Sequence, residues 1–230
     1  MEDLDHKHCR YERKFLASGM TVHEAEMIVK LHPAFFSEVY NQRYINNIYF
    51  DTHDHKSYHD SVDGVSERVK VRIRWYGELF NYIEKPVLEI KEKNGLLGYK
   101  RSFTLSSFSM DKDINKQSII NVINESNIPG SVKFKISNMA PILMNRYIRS
   151  YFLSSDGRYR ITIDSNMVFY DMLTAHRLVQ GKTDELNVIV ELKYNYVNDH
   201  FVDNITNHFP FRVTKSSKYV TAFGYIVMGL

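Results

Sequence analysis

The sequence predicts a mainly β (α+β) fold of about eight antiparallel strands, with short helices confined to the connections. Two observations lead to this prediction. Aromatic side chains are abundant, with 16 Tyr and 14 Phe, and such residues favour strands over helices. Polar and apolar residues also alternate strictly from Glu67 to Tyr76, and a period of two indicates a strand with two unlike faces.

The segment from Glu67 to Tyr76 places one class of side chain on each face. The apolar face carries Val69, Val71, Ile73 and Trp75, and the opposite face carries Arg68, Lys70, Arg72 and Arg74. Cations about 7 Å apart along a strand repel one another unless solvent or a polyanion neutralises them. An edge strand with a solvated basic face explains this segment equally well when it is taken alone.

The same division into an apolar and a charged face recurs along the chain. Further strands are predicted over residues 10–15, 42–51, 82–93, 99–105, 142–153, 158–164 and 187–194. The glycines within residues 94–98 and the sequence Ser155-Asp156-Gly157 are typical of hairpin turns. These strands together predict a fold that buries its apolar faces.

Helical signals lie between the strands. Thr21 and Glu24 have the spacing of a capping box, which predicts a helix from Thr21 to Leu31. Apolar residues at helical spacing predict two further helices, over residues 113–124 and near 197–208. The polar segment 174–185 is predicted to be a mobile loop.

The polar faces of the predicted strands are strongly biased toward cations. Thirteen cations oppose Glu12, Glu89, Asp164 and Glu191, which gives these faces a net charge of +9 in a chain whose total is only +3. The cations are Arg10, Lys14, Lys70, Arg72, Arg74, Lys91, Lys93, Lys100, Arg149, Arg160, Lys193, Lys215 and Lys218. A closed barrel with this charge inside would form a cationic tunnel that concentrates polyanions.

Composition limits the other possibilities. A chain of 230 residues with 43% hydrophobic content can bury one core, so a single domain over residues 1–230 is predicted. Cys9 is the only cysteine, and no targeting pattern opens the chain, which together predict a reducing, cytoplasmic setting. No apolar run approaches the roughly 18 residues that span a bilayer. We interpret His53, His55 and His59 as solvated rather than metal-binding.

Seven motifs in this order resemble the VTC domain, the polyphosphate polymerase module of the vacuolar transporter chaperone, which belongs to the triphosphate tunnel metalloenzyme (CYTH-like) superfamily. The motifs are Glu12-Arg13-Lys14, Ile48-Tyr49-Phe50-Asp51-Thr52, Val71-Arg72-Ile73-Arg74-Trp75-Tyr76-Gly77, Leu88-Glu89-Ile90-Lys91, Arg160-Ile161-Thr162-Ile163-Asp164, Glu191-Leu192-Lys193 and Lys215-Ser216-Ser217-Lys218. The resemblance implies an eight-stranded antiparallel β-barrel, or triphosphate tunnel, with short helices packed outside. It also implies a divalent metal, Mn²⁺ or Mg²⁺.

The resemblance, together with the charged faces, gives three sets of candidate site residues. The expected catalytic residues are Arg72, Arg74, Lys14 and Lys91. The expected phosphate ligands are Arg10, Lys70, Lys93, Lys100, Arg149, Arg160, Lys193, Lys215 and Lys218. The expected metal ligands are Glu191, Glu12 and Glu89. Two alternatives stay open: the glutamates could serve only as ion-pair partners, and Lys215 and Lys218 could be solvated residues at a helix start.

The favoured reaction moves the γ-phosphoryl group of ATP onto a growing polyphosphate chain. Hydrolases and cyclases of the superfamily open with Glu-x-Glu-x-Lys, whereas this chain has Arg10-x-Glu12-x-Lys14, which favours the polymerase branch. One alternative is a triphosphatase that cleaves tripolyphosphate or a nucleoside triphosphate. Another is a receptor that binds polyphosphate or inositol pyrophosphates without catalysis. Nucleic-acid binding is disfavoured because no recognised motif is present, and a membrane-bound partner stays open.

Overall fold

A computed structural model of the chain describes residues 10–94, 97–172, 179–184, 187–215 and 217–227. The strands within these residues are β1 Arg10–Ser18, β2 Ser37–Thr52, β3 Arg68–Tyr76, β4 Asn81–Ile83, β5 Val87–Asn94, β6 Leu97–Thr104, β7 Phe108–Met110, β8 Met139–Leu153, β9 Tyr159–Asp171, β10 Val179–Asp184, β11 Asn187–Asn195 and β12 Arg212–Val213. The α-helices are α1 Val22–Lys30, α2 Lys56–Val62, α3 Lys116–Glu125, α4 Gly130–Ile136, α5 Asp203–Thr206 and α6 Lys218–Val227, and a 3-10 helix covers Tyr196–Phe201.

Most of the strands belong to one sheet. Its hydrogen-bonded order is β12-β1-β11-β9-β8-β2-β3-β5-β6, with β10 paired to β9, and a second sheet pairs β4 with β7. The registered pairs along this order, such as β1 with β11 and β3 with β5, are antiparallel. The predicted class, mainly β with antiparallel strands and short helices in the connections, is confirmed.

The chain divides into two compact units, each with a hydrophobic core of its own. Unit 1 comprises residues 1–43, 147–167 and 184–216, and unit 2 comprises residues 44–146, 168–183 and 217–230. Phe15, Phe152 and Ile163 are among the buried residues of the first core, and Ile48, Trp75 and Leu88 are among those of the second. Burying each such side chain contributes roughly 1.5–3 kcal/mol.

Strand β3 has the two faces that its alternation predicts. Val71, Ile73 and Trp75 are at most 2% exposed, whereas Arg72 on the other face is only half-buried. The turn that joins β8 to β9 also follows the prediction. There the Ser154 amide donates to the Tyr159 carbonyl over 2.9 Å, and Gly157 supplies the left-handed conformation, with φ of 72°.

Helix α1 starts at the predicted capping box. The Glu24 amide donates to Thr21 Oγ1 over 3.2 Å, and the Thr21 amide donates to the Glu24 carboxylate over 2.7 Å. These two bonds satisfy backbone donors that the first helical turn leaves without partners.

The structure departs from the predicted elements at several places. The predicted strand 82–93 is divided between β4 and β5, which belong to different sheets. The polar segment predicted as a mobile loop contains β10, paired to β9; its residues 174–178 and 185 lie outside the described part of the chain. Together with the two-residue strand β12, β10 raises the main sheet to ten strands instead of about eight. Helix α4 was not predicted because seven residues that follow Pro129 give too short a periodic signal.

The histidine-rich segment forms the start of helix α2. His55 precedes the helix in a left-handed conformation with φ of 54°. Among the described residues, no group of three or more His, Cys, Asp or Glu side chains is placed to hold a metal ion. No helix in this part of the chain is long and apolar enough to cross a membrane.

Candidate phosphate-binding faces

Unit 2 presents a row of three lysines on neighbouring strands. Lys70 lies directly opposite Lys91 across β3 and β5, and Lys91 lies directly opposite Lys100 across β5 and β6. Directly opposed residues share a face, and like charges at such positions destabilise a sheet. An anion that lay across the three strands would relieve this repulsion.

A second row on the same face contains the carboxylate of Glu89. Arg72 donates to one Glu89 oxygen through Nε at 2.7 Å and Nη2 at 2.6 Å, and Lys100 contacts the other oxygen. Burial opposes the ionisation of Glu89, but Arg72, Arg74 and Lys100 outweigh it and lower the pKa of Glu89 to about 2. The carboxylate is therefore charged at neutral pH and holds the Arg72 guanidinium in one orientation.

Arg74 is held by a chain of two buried asparagines. Its Nε donates to Asn47 Oδ1 over 2.8 Å, and Asn47 Nδ2 donates to Asn145 Oδ1 over 2.9 Å. The Arg74 guanidinium also lies 3.8 Å from Glu89. We call Lys70, Arg72, Arg74, Lys91, Lys100 and Glu89 the cationic face of unit 2; five cations oppose one carboxylate, a net charge of +4.

Unit 1 also presents charged rows, but there carboxylates lie among the cations. Lys14 lies directly opposite Glu191 across β1 and β11, and Glu12 lies opposite Lys193. The next strand continues the second row, because Arg160 on β9 lies opposite Lys193. Opposite charges at facing positions stabilise a sheet, so these rows are neutralised largely by the chain itself.

Arg149 and Asp164 form a buried ion pair at one end of these rows. Arg149 donates through Nε and Nη2 to the two Asp164 oxygens, with the second bond at 2.7 Å, and Asp164 is 0% exposed. Burial alone would lower the pKa of Arg149, but the Asp164 carboxylate raises it well above its ordinary value. Arg149 Nη2 also lies 3.8 Å from Glu191.

Glu191 stands at the centre of the alternating charges. Lys193 Nζ lies 2.8 Å from its carboxylate and Lys14 Nζ lies 3.8 Å away. Burial opposes ionisation, but hydrogen bonding with Glu12 and the surrounding cations hold the pKa of Glu191 well below its usual range. We call Glu12, Lys14, Arg149, Arg160, Asp164, Glu191 and Lys193 the mixed face of unit 1; four cations oppose three carboxylates, a net charge of +1.

The donor set of the mixed face fits a divalent ion that phosphate helps to bind. Glu12 and Glu191 are within hydrogen-bonding reach of each other, so two hard oxygen donors are adjacent. Mg²⁺ in proteins is held by one or two carboxylates, with substrate phosphates and waters completing its coordination. Glu89 is the single carboxylate of the cationic face, where Arg72 and Lys100 contact its two oxygens, so that face lacks a second carboxylate to share a metal ion.

The remaining predicted site residues do not belong to the two sets defined above. Lys93 lies on the same side of β5 as Lys91, one row further along the strand and opposite Arg68. Lys215 is exposed after β12, and Lys218 is the first residue of α6. The side chain of Arg10 lies outside the described part of the structure. Lys70 reaches toward α6, because its Nζ donates to Ser217 Oγ over 3.0 Å.

Several contacts within these faces were not predicted from the sequence. Asn47 and Asn145 orient Arg74. Asp164 was placed on a charged face, but its pairing with Arg149 was not predicted. That pairing could have been found, because the predicted turn at 155–157 fixes the register that brings residues 149 and 164 together. Arg43 lies inside the predicted strand 42–51, to which no charged face was assigned, and β2 begins earlier than predicted, at Ser37.

Comparison with known proteins identifies relatives of the whole chain. The family model described as the VTC domain matches residues 9–227. Vacuolar transporter chaperone complex subunit 2 of Saccharomyces cerevisiae is 28% identical over an alignment of 154 residues, and the match covers 54% of this chain. The aligned region makes up only 18% of that relative's length.

Solved structures with a similar fold come from distant sequences. The PH1819 protein from Pyrococcus horikoshii OT3 is 11% identical and covers 96% of this chain and 99% of its own, with a TM-score of 0.50. HpAC1 from Hippeastrum, a candidate adenylyl cyclase described as having a dominant triphosphatase activity, is 12% identical and covers 92% of this chain and 95% of its own, with a TM-score of 0.48. At this level of identity, the PH1819 likeness concerns the fold alone.

Proposed function

The chain belongs to the VTC domain family, and from that premise we propose that it transfers the γ-phosphoryl group of ATP to a polyphosphate chain. The observation that carries the proposal is the cationic face of unit 2. There Lys70, Lys91 and Lys100 lie in one cross-strand row beside two oriented arginines. A surplus of +4 on a regular sheet suits a linear polyanion, whose repeating charges can lie along several strands.

The chemistry asks the protein chiefly to position phosphates and to stabilise charge. The bond between the γ-phosphorus and the oxygen that bridges it to the β-phosphate breaks, and ADP leaves with that oxygen. A terminal oxygen of the acceptor chain forms the new bond to the γ-phosphorus. The acceptor is already ionised at neutral pH, so no strong general base is required. Stabilising the non-bridging oxygens is then the main catalytic contribution.

The arginines and lysines of the cationic face can contact phosphates in different ways because their side chains differ in shape. Arg72 and Arg74 present planar guanidinium groups that can contact two oxygens of one phosphate. Glu89 and Asn47 fix these two groups before substrate arrives, which reduces the reorganisation needed on binding. Lys70, Lys91 and Lys100 act as point charges that can follow successive phosphates along the chain.

On the mixed face, we propose that Glu191 and Glu12 hold a divalent cation, Mn²⁺ or Mg²⁺. Such an ion supplies positive charge to phosphate oxygens. Lys14 and Lys193 hold the Glu191 carboxylate in place, since both lysines lie within 4 Å of it, and Lys14 Nζ also lies 3.1 Å from Glu12. Arg149, held by Asp164, adds a guanidinium to the same face and is proposed as a phosphate ligand.

The yeast relative is named as one subunit of a complex, and we propose that this chain also acts with a partner subunit. Because the alignment spans a small part of that relative, a membrane-associated partner and a cytoplasmic setting are proposals for this chain. The chain's own phosphate chemistry can be tested without the partner.

Product analysis of the purified protein tests the proposed reaction. Incubation with ATP, Mn²⁺ and a short polyphosphate primer should release ADP and lengthen the primer into polyphosphate that resolves on a gel. The variant Glu191→Gln should lose this activity, whereas Glu84→Gln, which changes an exposed glutamate of unit 2, should keep it. Release of ADP and orthophosphate without any lengthening of the primer would show a triphosphatase. Ligand binding without turnover would show a receptor, and either outcome would contradict the polymerase assignment.

A further inference from the structure

A third group of side chains extends the mixed face of unit 1 beyond Arg149. Gln42 on β2 donates to Ser150 on the neighbouring strand β8 over 3.0 Å. Neighbouring residues of a strand point to opposite faces of the sheet. The face opposite to Gln42 and Ser150 therefore carries Arg43 of β2 and both Arg149 and Tyr151 of β8. Arg43 and Tyr151 thus share a face with Arg149.

Two tyrosine rings surround the Arg43 guanidinium. Its central carbon lies 4.8 Å from the ring centroid of Tyr151 and 5.3 Å from that of Tyr40. The two rings lie 5.7 Å apart and are almost perpendicular, at 89°. Tyr40 is 57% exposed. We call Tyr40, Arg43 and Tyr151 the aromatic cluster.

We propose that the aromatic cluster binds the purine base of the nucleoside triphosphate. This inference rests on the proposed function, which makes ATP the phosphoryl donor. The cluster continues the mixed face along β8, because Tyr151 is two residues after Arg149 and lies on the same side of the strand. A ligand whose phosphates contact Arg149 would therefore place its nucleoside at these rings. Bases stack on tyrosine rings and on arginine guanidinium planes.

Aromatic surface at this position distinguishes a nucleobase from a further phosphate. A phosphate group gains from cations but gains nothing from an exposed ring, whereas stacking requires one. A second arginine and tyrosine pair shows the contrast. Arg146 lies 3.8 Å from the Tyr44 ring centroid, but Arg146 is also paired with Glu78 at 3.5 Å. It occupies an even position of β8, on the face opposite Arg149, so that pair does not extend the charged face.

Comparing two ligands that share phosphates but not a nucleoside tests the inference. Calorimetric titrations should measure the dissociation constants of ATP and of inorganic tripolyphosphate, both with Mn²⁺. Tyr40→Ala should weaken ATP binding by about tenfold, because loss of one stacking partner typically costs that much, and should leave tripolyphosphate binding within twofold. Tyr40→Phe keeps the ring and should restore ATP affinity. Tyr82→Ala removes a similarly exposed tyrosine of unit 2 and should change neither constant.

The possible outcomes are separable. Equal weakening of both ligands by Tyr40→Ala would show a contribution to phosphate binding and overturn the base subsite. No change in either constant, with wild-type affinity for both, would assign the cluster a purely structural role and also overturn it. A wild-type protein that binds neither ligand would instead refute the proposed function. In the synthesis assay, Tyr40→Ala should raise the KM for ATP and leave kcat unchanged.

Discussion

The mixed face of unit 1 and the cationic face of unit 2 both place charged side chains on neighbouring antiparallel strands, yet they are neutralised in different ways. In unit 1, Lys14 faces Glu191 and Glu12 faces Lys193, so two cations have a carboxylate at a facing position, although Arg160 faces Lys193. In unit 2, Lys91 faces a lysine on both sides. Facing like charges cost stability and facing opposite charges add to it.

The comparison suggests a division of labour between two kinds of charged sheet. A face that balances its own charges is held rigid without a ligand and can present two carboxylates to a metal. A face with surplus cations keeps binding energy available, because an anion that arrives there removes repulsion as well as forming contacts. The predictions below test this difference, beginning with the largest expected effect.

Breaking the buried pair of unit 1 should have the largest effect on stability. Asp164→Leu leaves the Arg149 guanidinium buried without its main carboxylate, and removing one partner of such a pair typically costs about 3–5 kcal/mol. Chemical denaturation measures the loss in the free energy of unfolding. Asp164→Asn, which conserves volume and one acceptor, offers a milder variant if the leucine variant does not fold.

The matched control removes a carboxylate that is paired near the surface. Glu92 contacts Arg101 at 2.9 Å and is 25% exposed, so Glu92→Gln should cost at most about 1 kcal/mol. Equal losses for the Asp164 and Glu92 variants would mean that the mixed face does not depend on its internal ion pair, and the comparison between the two units would fail.

Anions should stabilise the protein chiefly through the cationic face, which has surplus positive charge, and less through the mixed face, which is nearly neutral. Tripolyphosphate at about 100 times its dissociation constant stabilises a protein by about 2.7 kcal/mol, which corresponds to a rise in Tm of roughly 5–10 °C for a chain of this size. The double variant Lys91→Ala/Lys100→Ala should lose most of this shift. Without the anion, its stability should differ from wild type by at most about 1 kcal/mol, because relief of the repulsive row is opposed by loss of the Lys100–Glu89 ion pair.

Loss of two positive charges elsewhere provides the control for this measurement. Lys85 and Lys112 are exposed residues of unit 2 outside the charged strands, so Lys85→Ala/Lys112→Ala should keep the full shift. Added salt should reduce the shift in wild type, since exposed charges are screened. If both double variants respond like wild type, the polyphosphate site lies elsewhere.

How much of the fold and of the candidate site could be predicted depended on the distance in sequence between the interacting residues. Alternation within β3 was enough to place Arg72 and Arg74 on one face of the strand and Val71 and Ile73 on the other, because strand geometry is local. The facing of Lys14 with Glu191 depends on a pairing between segments 177 positions apart. No local pattern encodes that register, which follows from how the apolar faces pack.

The asparagine pair that orients Arg74 illustrates the same limit. Asn47 and Asn145 are 98 positions apart, and an asparagine in a strand is by itself an unfavourable residue for that conformation. An asparagine on a polar face therefore indicated only that the face was unusual. The hydrogen bonds through which Asn47 and Asn145 orient Arg74 form only when β2, β3 and β8 have assembled.

The smallest expected effect concerns metal binding, and it asks which face holds the ion. Glu12 and Glu191 are adjacent on the mixed face, whereas Glu89 is the single carboxylate of the cationic face. With tripolyphosphate saturating, Glu12→Gln should therefore weaken Mn²⁺ binding by about tenfold, or ~1.4 kcal/mol, because one hard oxygen ligand of two loses its charge. Titration followed by the electron paramagnetic resonance signal of free Mn²⁺ measures this directly. Glu84→Gln should leave the affinity unchanged, and a loss of Mn²⁺ binding in Glu89→Gln but not in Glu12→Gln would move the metal to unit 2 and reverse the roles of the two faces.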